Sequence, residues 1–269
     1  MKRILWILLF AWFDSGAVNF PALQGPVSFG AARISSVLKD PFAAYNHQGC
    51  LALVKNDMFS LSAKNSYFSP ELNTYGIAVC KKINKTQVLG LGYGFFGNKY
   101  YNESLLKLSF AKKLFEKTGA GISLDYFRLQ LPKETFDIKN ILTFEIGLYT
   151  ELNKNFDIAI QLINPAMVQL SKTYNEKLAF VANSSIFYKV DNKLKLGAEW
   201  SQTVNGKGYS KFCINYEISP KFDFYCGFYK KPSNASVGII CNYKKLKISL
   251  AFSTHPYLKS SSAAGITFY

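Results

Sequence analysis

The sequence is short of charge, and of acid in particular. Asp, Glu, Lys and Arg make up 18% of its 269 residues, with 17 acidic against 32 basic side chains. Soluble proteins carry about 25% charged residues, so the composition argues against a surface that meets water on all sides. Histidine is scarce: only His47 and His255 are present, far apart in sequence. Cys50, Cys80, Cys213, Cys226 and Cys241 show neither a CxxC nor a histidine-paired spacing. That speaks against a zinc site or a disulfide framework, and leaves open whether one pair is bridged. No nucleophile–base motif stands out, so no enzyme is read. The stretch Leu89-Gly-Leu-Gly-Tyr-Gly94 alternates like a strand and opens no helix. It is therefore not a dinucleotide site, no cofactor is implied, and its glycines are expected to leave packing room. Beyond residue 13 no apolar run is long enough for a transmembrane helix. A net charge of +15 without a basic motif does not point to nucleic acid. Anionic lipid head groups are the better partner, with lysines such as Lys85, Lys154 and Lys244 at turns acting as interfacial anchors.

What the chain has instead is aromatic residues, 23 Phe and 17 Tyr, and a regular pattern. It begins with Met1-Lys2-Arg3, an apolar run over 4–13, and small residues at Ser15 and Ala17. This reads as a secretory signal peptide over residues 1–17. Residues 18–55 are rich in Gly and Ala and lack period-2 alternation. Short helical turns are expected there at 31–38 and 41–44. From 56 to 269 the alternation is nearly continuous and predicts fourteen strands: 57–67, 73–82, 87–97, 100–113, 118–131, 138–152, 155–163, 178–190, 193–204, 209–219, 221–230, 234–243, 245–254 and 259–269. Most reach the 9–11 residues, roughly, that a tilted strand needs to cross a bilayer.

The faces repeat from strand to strand. Leu106, Leu108 and Phe110 share one face, as do Leu142, Phe144, Ile146 and Leu148. The opposite face carries Lys107, Asp125, Glu145, Lys195, Glu199 and Glu217. These charges are expected to form a paired network in a lumen or to line a polar path. A sandwich would turn the apolar faces inward; a membrane barrel turns them to lipid. The connections favour the barrel, because they alternate in length. Those at 84–86, 114–117, 153–154, 191–192, 220 and 244 are tight, whereas those at 132–137, 164–177, 205–208 and 255–258 are mostly longer. Short periplasmic turns and longer outer loops mark outer-membrane barrels. An even strand count places both termini on the short-turn, periplasmic side. The fold class expected is thus all-β: an antiparallel transmembrane β-barrel of about fourteen strands. Such a barrel is too wide to fill itself, which makes residues 18–55 the available plug, or hatch.

Three places carry a family resemblance. They are Gly30-Ala-Ala-Arg33 with Asp40-Pro41 and Asn46-His-Gln48 to Leu51-Ala52; Phe59–Tyr67 with Phe68-Ser-Pro-Glu-Leu72; and Phe252-Ser-Thr-His-Pro256 with Gly265-Ile-Thr-Phe268. Through them the chain resembles FadL-like outer-membrane barrels, and within these the Bacteroidota branch with the PorV and PorQ proteins of type IX secretion. The resemblance implies an N-terminal hatch in which Arg33, Asp40, Pro41 and Asn46 are the gate residues. Arg33 and Asp40 are expected to meet inward charges such as Glu145 or Lys195. It leaves two functions open. One is passage of a hydrophobic or small solute across the outer membrane, gated by the hatch, with a hydrophobic small molecule as ligand. The other is a non-transporting accessory barrel whose partners are secretion-complex proteins. Only the connection at 164–177 is long enough to grip a partner, which leans the reading to transport.

Overall fold

The structure, a computed structural model, describes residues 24–36, 41–130, 139–171, 176–204, 206, 208–230 and 233–269. The segment read as a signal peptide and the candidate gate residue Asp40 lie outside these. Three short helices come first: α1 (Pro26–Gly30), α2 (Ala43–Asn46) and α3 (Gln48–Leu51). The strands follow: β1 (Met58–Asn65), β2 (Asn73–Lys82), β3 (Gln87–Gly97), β4 (Asn102–Phe115), β5 (Thr118–Gln130), β6 (Lys139–Glu151), β7 (Phe156–Ile163), β8 (Gln169–Ser171), β9 (Glu176–Lys177), β10 (Val181–Lys189), β11 (Leu194–Thr203), β12 (Tyr209–Ser219), β13 (Phe222–Lys230), β14 (Ser233–Tyr243), β15 (Leu246–Ser253) and β16 (Ser261–Phe268). Among the described residues all but β8 and β9 form one closed antiparallel barrel of fourteen strands, each paired with its neighbours in sequence.

Closure removes the edge that a terminal strand would otherwise expose. Phe59 of β1 faces Phe268 of β16, and Leu61 faces Ile266. The Phe59 and Phe268 rings stack outside the wall at 6.3 Å, while the Ser60 and Thr267 hydroxyls hydrogen-bond inside it at 2.7 Å. The wall therefore obeys the period-2 rule at the seam as elsewhere. Along β4, Leu106, Leu108 and Phe110 are exposed, and Leu105, Lys107 and Ser109 are buried. The outward apolar positions continue around the cylinder with Tyr75, Leu91, Ile122, Ile146, Trp200 and Phe224. Such a band is unfavourable against water and is the lipid-facing surface of a transmembrane barrel.

The tight turns have a local cause. Asn84 accepts from the amides of Thr86 and Gln87, Asn153 from those of Asn155 and Phe156, and Asp191 from those of Lys193 and Leu194. One Asx side chain thus folds each turn back by satisfying two backbone donors. The opposite, loop end is less uniform. There β8 and β9 form a small hairpin within the β7–β10 connection, which the sequence reading did not separate from a loop. Buried Asn164 organises that connection. Its amide donates to the carbonyl of Leu178 at 2.7 Å, and its side-chain oxygen accepts from Thr143 at 2.6 Å.

The helices depart from expectation. They lie at Pro26–Gly30, Ala43–Asn46 and Gln48–Leu51 rather than at 31–38 and 41–44. Pro26 opens α1 at its first turn, where its missing N–H costs nothing. The chain leaves α1 through Ala32 and Arg33, both at positive φ (56° and 58°), so no helix can continue there.

Candidate functional site

The candidate site is the barrel interior, where residues 24–36 and 41–54 lie almost wholly buried. α1 packs against β13–β16, α2 against β2–β4, and α3 against β4–β6. The wall makes room with glycine at two points in particular. A Cβ at Gly92 would stand 2.9 Å from the Tyr45 ring, and one at Gly147 would stand 2.8 Å from the backbone nitrogen of Gly49. Both distances are closer than carbon tolerates; at Gly147 the segment approaches the strand nearly backbone to backbone, and at Gly92 an aromatic ring lies against the wall's backbone.

Two buried polar clusters bind the segment to the wall. In the first, Lys107, Asp125 and Glu145 come from β4, β5 and β6. Lys107 and Asp125 are directly opposed in the sheet, with Nζ and Oδ2 3.3 Å apart. Lys107 also bonds Glu145, and it donates to the Tyr45 carbonyl at 3.3 Å. Gln48 of α3 donates to Glu145 Oε2 at 2.8 Å, and Gln161 donates to the same atom at 3.1 Å. Gln161 then accepts from Asn183, which accepts from Ser201. One lysine thus faces two carboxylates; two neutral amides donate to Glu145, and the Ser123 hydroxyl donates to Asp125 Oδ1 at 2.7 Å. That is the condition under which buried charge is tolerated.

The second cluster centres on Glu199 of β11. Lys211, its direct partner on β12, bonds Oε1 at 2.6 Å. Oε2 accepts from Ser185 at 2.8 Å and from both the amide and the hydroxyl of Ser35, at 3.1 and 3.0 Å. Lys211 also donates to the Arg33 carbonyl at 3.2 Å. A third group sits nearer the short turns: Asp157 bonds Lys189 at 2.7 Å and Lys195 at 2.9 Å.

The residues singled out from sequence thus fall in several places. Lys107, Asp125 and Glu145 come together, Glu199 joins Lys211, and Lys195 joins Asp157. Glu217 stays half-buried near the short turns, opposite Asp223. Arg33 does not meet Glu145 or Lys195. It belongs to the part of the segment that packs on β13–β16, and its guanidinium lies 5.6 Å from the Phe29 ring and 5.5 Å from that of Tyr229. Pro41 is buried ahead of α2, and Asn46 ends α2 half-buried. Tyr45 and Arg33 reach the wall's lysines through their backbone carbonyls, and the segment side chains that bond the wall's carboxylates are Gln48 and Ser35. Neither is charged and neither sits in a periodic element; Gln48 stands in the motif Asn46-His-Gln48, where Asn46 rather than Gln48 is read as the gate residue. His47 accepts the Cys50 amide through Nδ1 at 3.3 Å and caps α3. His255 organises the turn after β15, accepting from the amides of Tyr257 and Leu258. Among the described residues no cluster of His, Cys, Asp and Glu could hold a metal ion.

The loop end is closed unevenly. On one side Leu105, Phe127, Ile141, Ile163 and Leu178 form an apolar cluster beneath the β7–β10 connection. On the other, between α1 and β12–β16, a polar cavity of about 100 Å³ remains. At the short-turn end an open recess of about 410 Å³ lies between Leu53–Lys55 and the wall.

No protein-family model matches the sequence, and no curated protein matches it. Solved structures do. The chain is similar to the monoaromatic hydrocarbon channel TodX, a Pseudomonas putida toluene transporter, in its deltaS2 mutant form (TM-score 0.70, 9% identity, 91% of this chain and 96% of that chain). It is similar to a Pseudomonas aeruginosa FadL homologue (TM-score 0.62, 11% identity, 91% and 96%). It is also similar to the Ralstonia pickettii toluene transporter TbuX (TM-score 0.61, 14% identity, 91% and 97%). At these identities the likeness is one of architecture, and the fold of this chain is that of the FadL-like barrels.

Proposed function

We propose that this protein is an outer-membrane barrel that passes a hydrophobic or small solute, with residues 18–55 as its gate. The observation that carries the reading is how the interior is filled. A barrel of this width is occupied by a separate stretch of chain rather than by its own side chains. That stretch is attached at discrete polar points, Gln48 on Glu145 and Ser35 on Glu199. Net hydrogen bonds to charged groups are worth about 1.5–3 kcal/mol each, so releasing one attachment is within reach of a bound solute. The architecture shared with hydrocarbon and toluene transporters supports the same class of cargo. In this reading Arg33, Asp40, Pro41 and Asn46 belong to the gate, and the lumen charges hold it shut. The end bearing the short turns, where β1 begins and β16 ends, faces the periplasm. The motifs around Gly30–Arg33 and Asn46–Ala52 support kinship with the PorV and PorQ branch.

Reconstitution into vesicles with lipopolysaccharide in the outer leaflet tests the transport step. Entry of a hydrophobic fluorescent probe is expected to be several-fold faster with the protein than without it. Equal rates would contradict the proposal.

A further inference from the structure

The polar cavity beside α1 has a composition that asks for a particular ligand. Its lining includes Arg33, Lys211, Tyr67, Tyr209, Tyr229 and His255, and no Asp or Glu among the described residues. Lys211 is already neutralised by Glu199. Arg33 is not: among the described residues no carboxylate lies within ion-pair distance of its guanidinium, which stands beside the Phe29 and Tyr229 rings, with Lys64 over the same Phe29 ring. The surplus charge is therefore positive, and it is half-buried next to open space.

The backbone holds Arg33 there deliberately. Both Ala32 and Arg33 occupy the left-handed region, which side-chain-bearing residues adopt only where surrounding contacts enforce it. The enforcing contacts are present. The Arg33 amide donates to the Ser28 carbonyl at 2.7 Å, the Ala32 amide to Ser236 Oγ at 3.0 Å, and Lys211 to the Arg33 carbonyl at 3.2 Å. A planar guanidinium held in this way is suited to a two-point bond with an oxyanion, and phenolic hydroxyls add further donors. A volume of about 100 Å³ admits one such group together with water.

We infer that this cavity is a binding site for a small oxyanion, a carboxylate or phosphate group, received by Arg33 at the loop-end mouth of the barrel. The site stands whether or not the barrel conducts, because binding is read without flux.

Calorimetric titration of the full-length protein in neutral detergent, with inorganic phosphate and separately with acetate, tests it. One-to-one binding is expected, weakened at least tenfold by Arg33→Gln and several-fold by Tyr229→Phe. Lys259→Gln, an exposed charge change at the same end, should leave it unchanged; heat-modifiable gel mobility checks that each variant is folded. A third arm uses dihexanoyl phosphatidylglycerol. If only this lipid binds, and does so through Arg33, the oxyanion belongs to a head group rather than a free solute. The inference is overturned if the folded wild-type protein binds none of the three. It is equally overturned if Arg33→Gln binds as well as wild type, or if Lys259→Gln weakens binding as much as Arg33→Gln does.

Discussion

Leu108 and Lys107 are neighbours on β4, and they illustrate the two surfaces of this wall. Leu108 is 53% exposed on the outward apolar surface; Lys107 is 2% exposed and meets Asp125, Glu145 and the Tyr45 carbonyl. The outward surface needs a type of residue, and any large apolar side chain serves. The inward surface needs particular residues, because each answers a partner on another strand or on the segment inside. One face is fixed by solvent and the other by specific bonds, so the two should respond differently to substitution.

The sharpest break is on the inward side. Lys107→Met leaves two buried carboxylates without their cation and should cost roughly 3–5 kcal/mol, as removal of one partner from a buried pair does. Denaturant unfolding in detergent or vesicles measures it. Neutralising the whole cluster, by adding Asp125→Asn and Glu145→Gln, should recover much of that loss, since the remaining groups can still hydrogen-bond. Next comes the outward neighbour. Leu108→Arg, or equally Ile146→Arg, should cost about 2–4 kcal/mol in a lipid bilayer, and the cost should shrink in a short-chain detergent, which bends around a charge. The inward loss should not depend on the amphiphile. A smaller effect is expected where the segment meets the wall. Gln48→Ala removes one donor from Glu145 and leaves Gln161 in place, at about 1–3 kcal/mol. Its second signature is easier release of the segment, seen as protease sensitivity within residues 24–54 while the barrel stays intact. The smallest effect belongs to the turns. Asn153→Ala removes the acceptor for two amides that water can also satisfy, and should cost about 1 kcal/mol or less.

The same contrast explains what could be read from the sequence. The wall was legible because period-2 alternation and turn residues are local signals. Every barrel strand was predicted within three residues at either end. The inward charges were legible as a set, but their grouping depends on register across several strands, which no single stretch encodes. The segment inside was the least legible. Its helices are four or five residues long and follow the shape of the cavity, so Pro26 and Asn46 mark their ends better than any periodicity does. Gln48 and Ser35 escaped notice because their roles come entirely from Glu145 and Glu199, on β6 and β11. The glycines of β3 gave a fair hint: Gly90 and Gly92 leave the room now taken by Leu51, Ala44 and Tyr45. The inward face, however, is not spacious. Ser109 donates to the Ala44 carbonyl and is 3% exposed, so an arginine there would displace the segment rather than extend into a lumen.

The central claim is that the stretch inside the barrel closes a path that the wall alone would leave open. Deleting residues 22–48 removes α1, α2 and both the Ser35 and Gln48 attachments without touching any strand pairing. Conductance of single proteins in planar bilayers, intact against deleted, tests that claim most directly. The account predicts a folded, heat-modifiable barrel whose conductance rises well above that of the intact protein. If the two forms conduct alike while both are folded, the interior segment is not the gate.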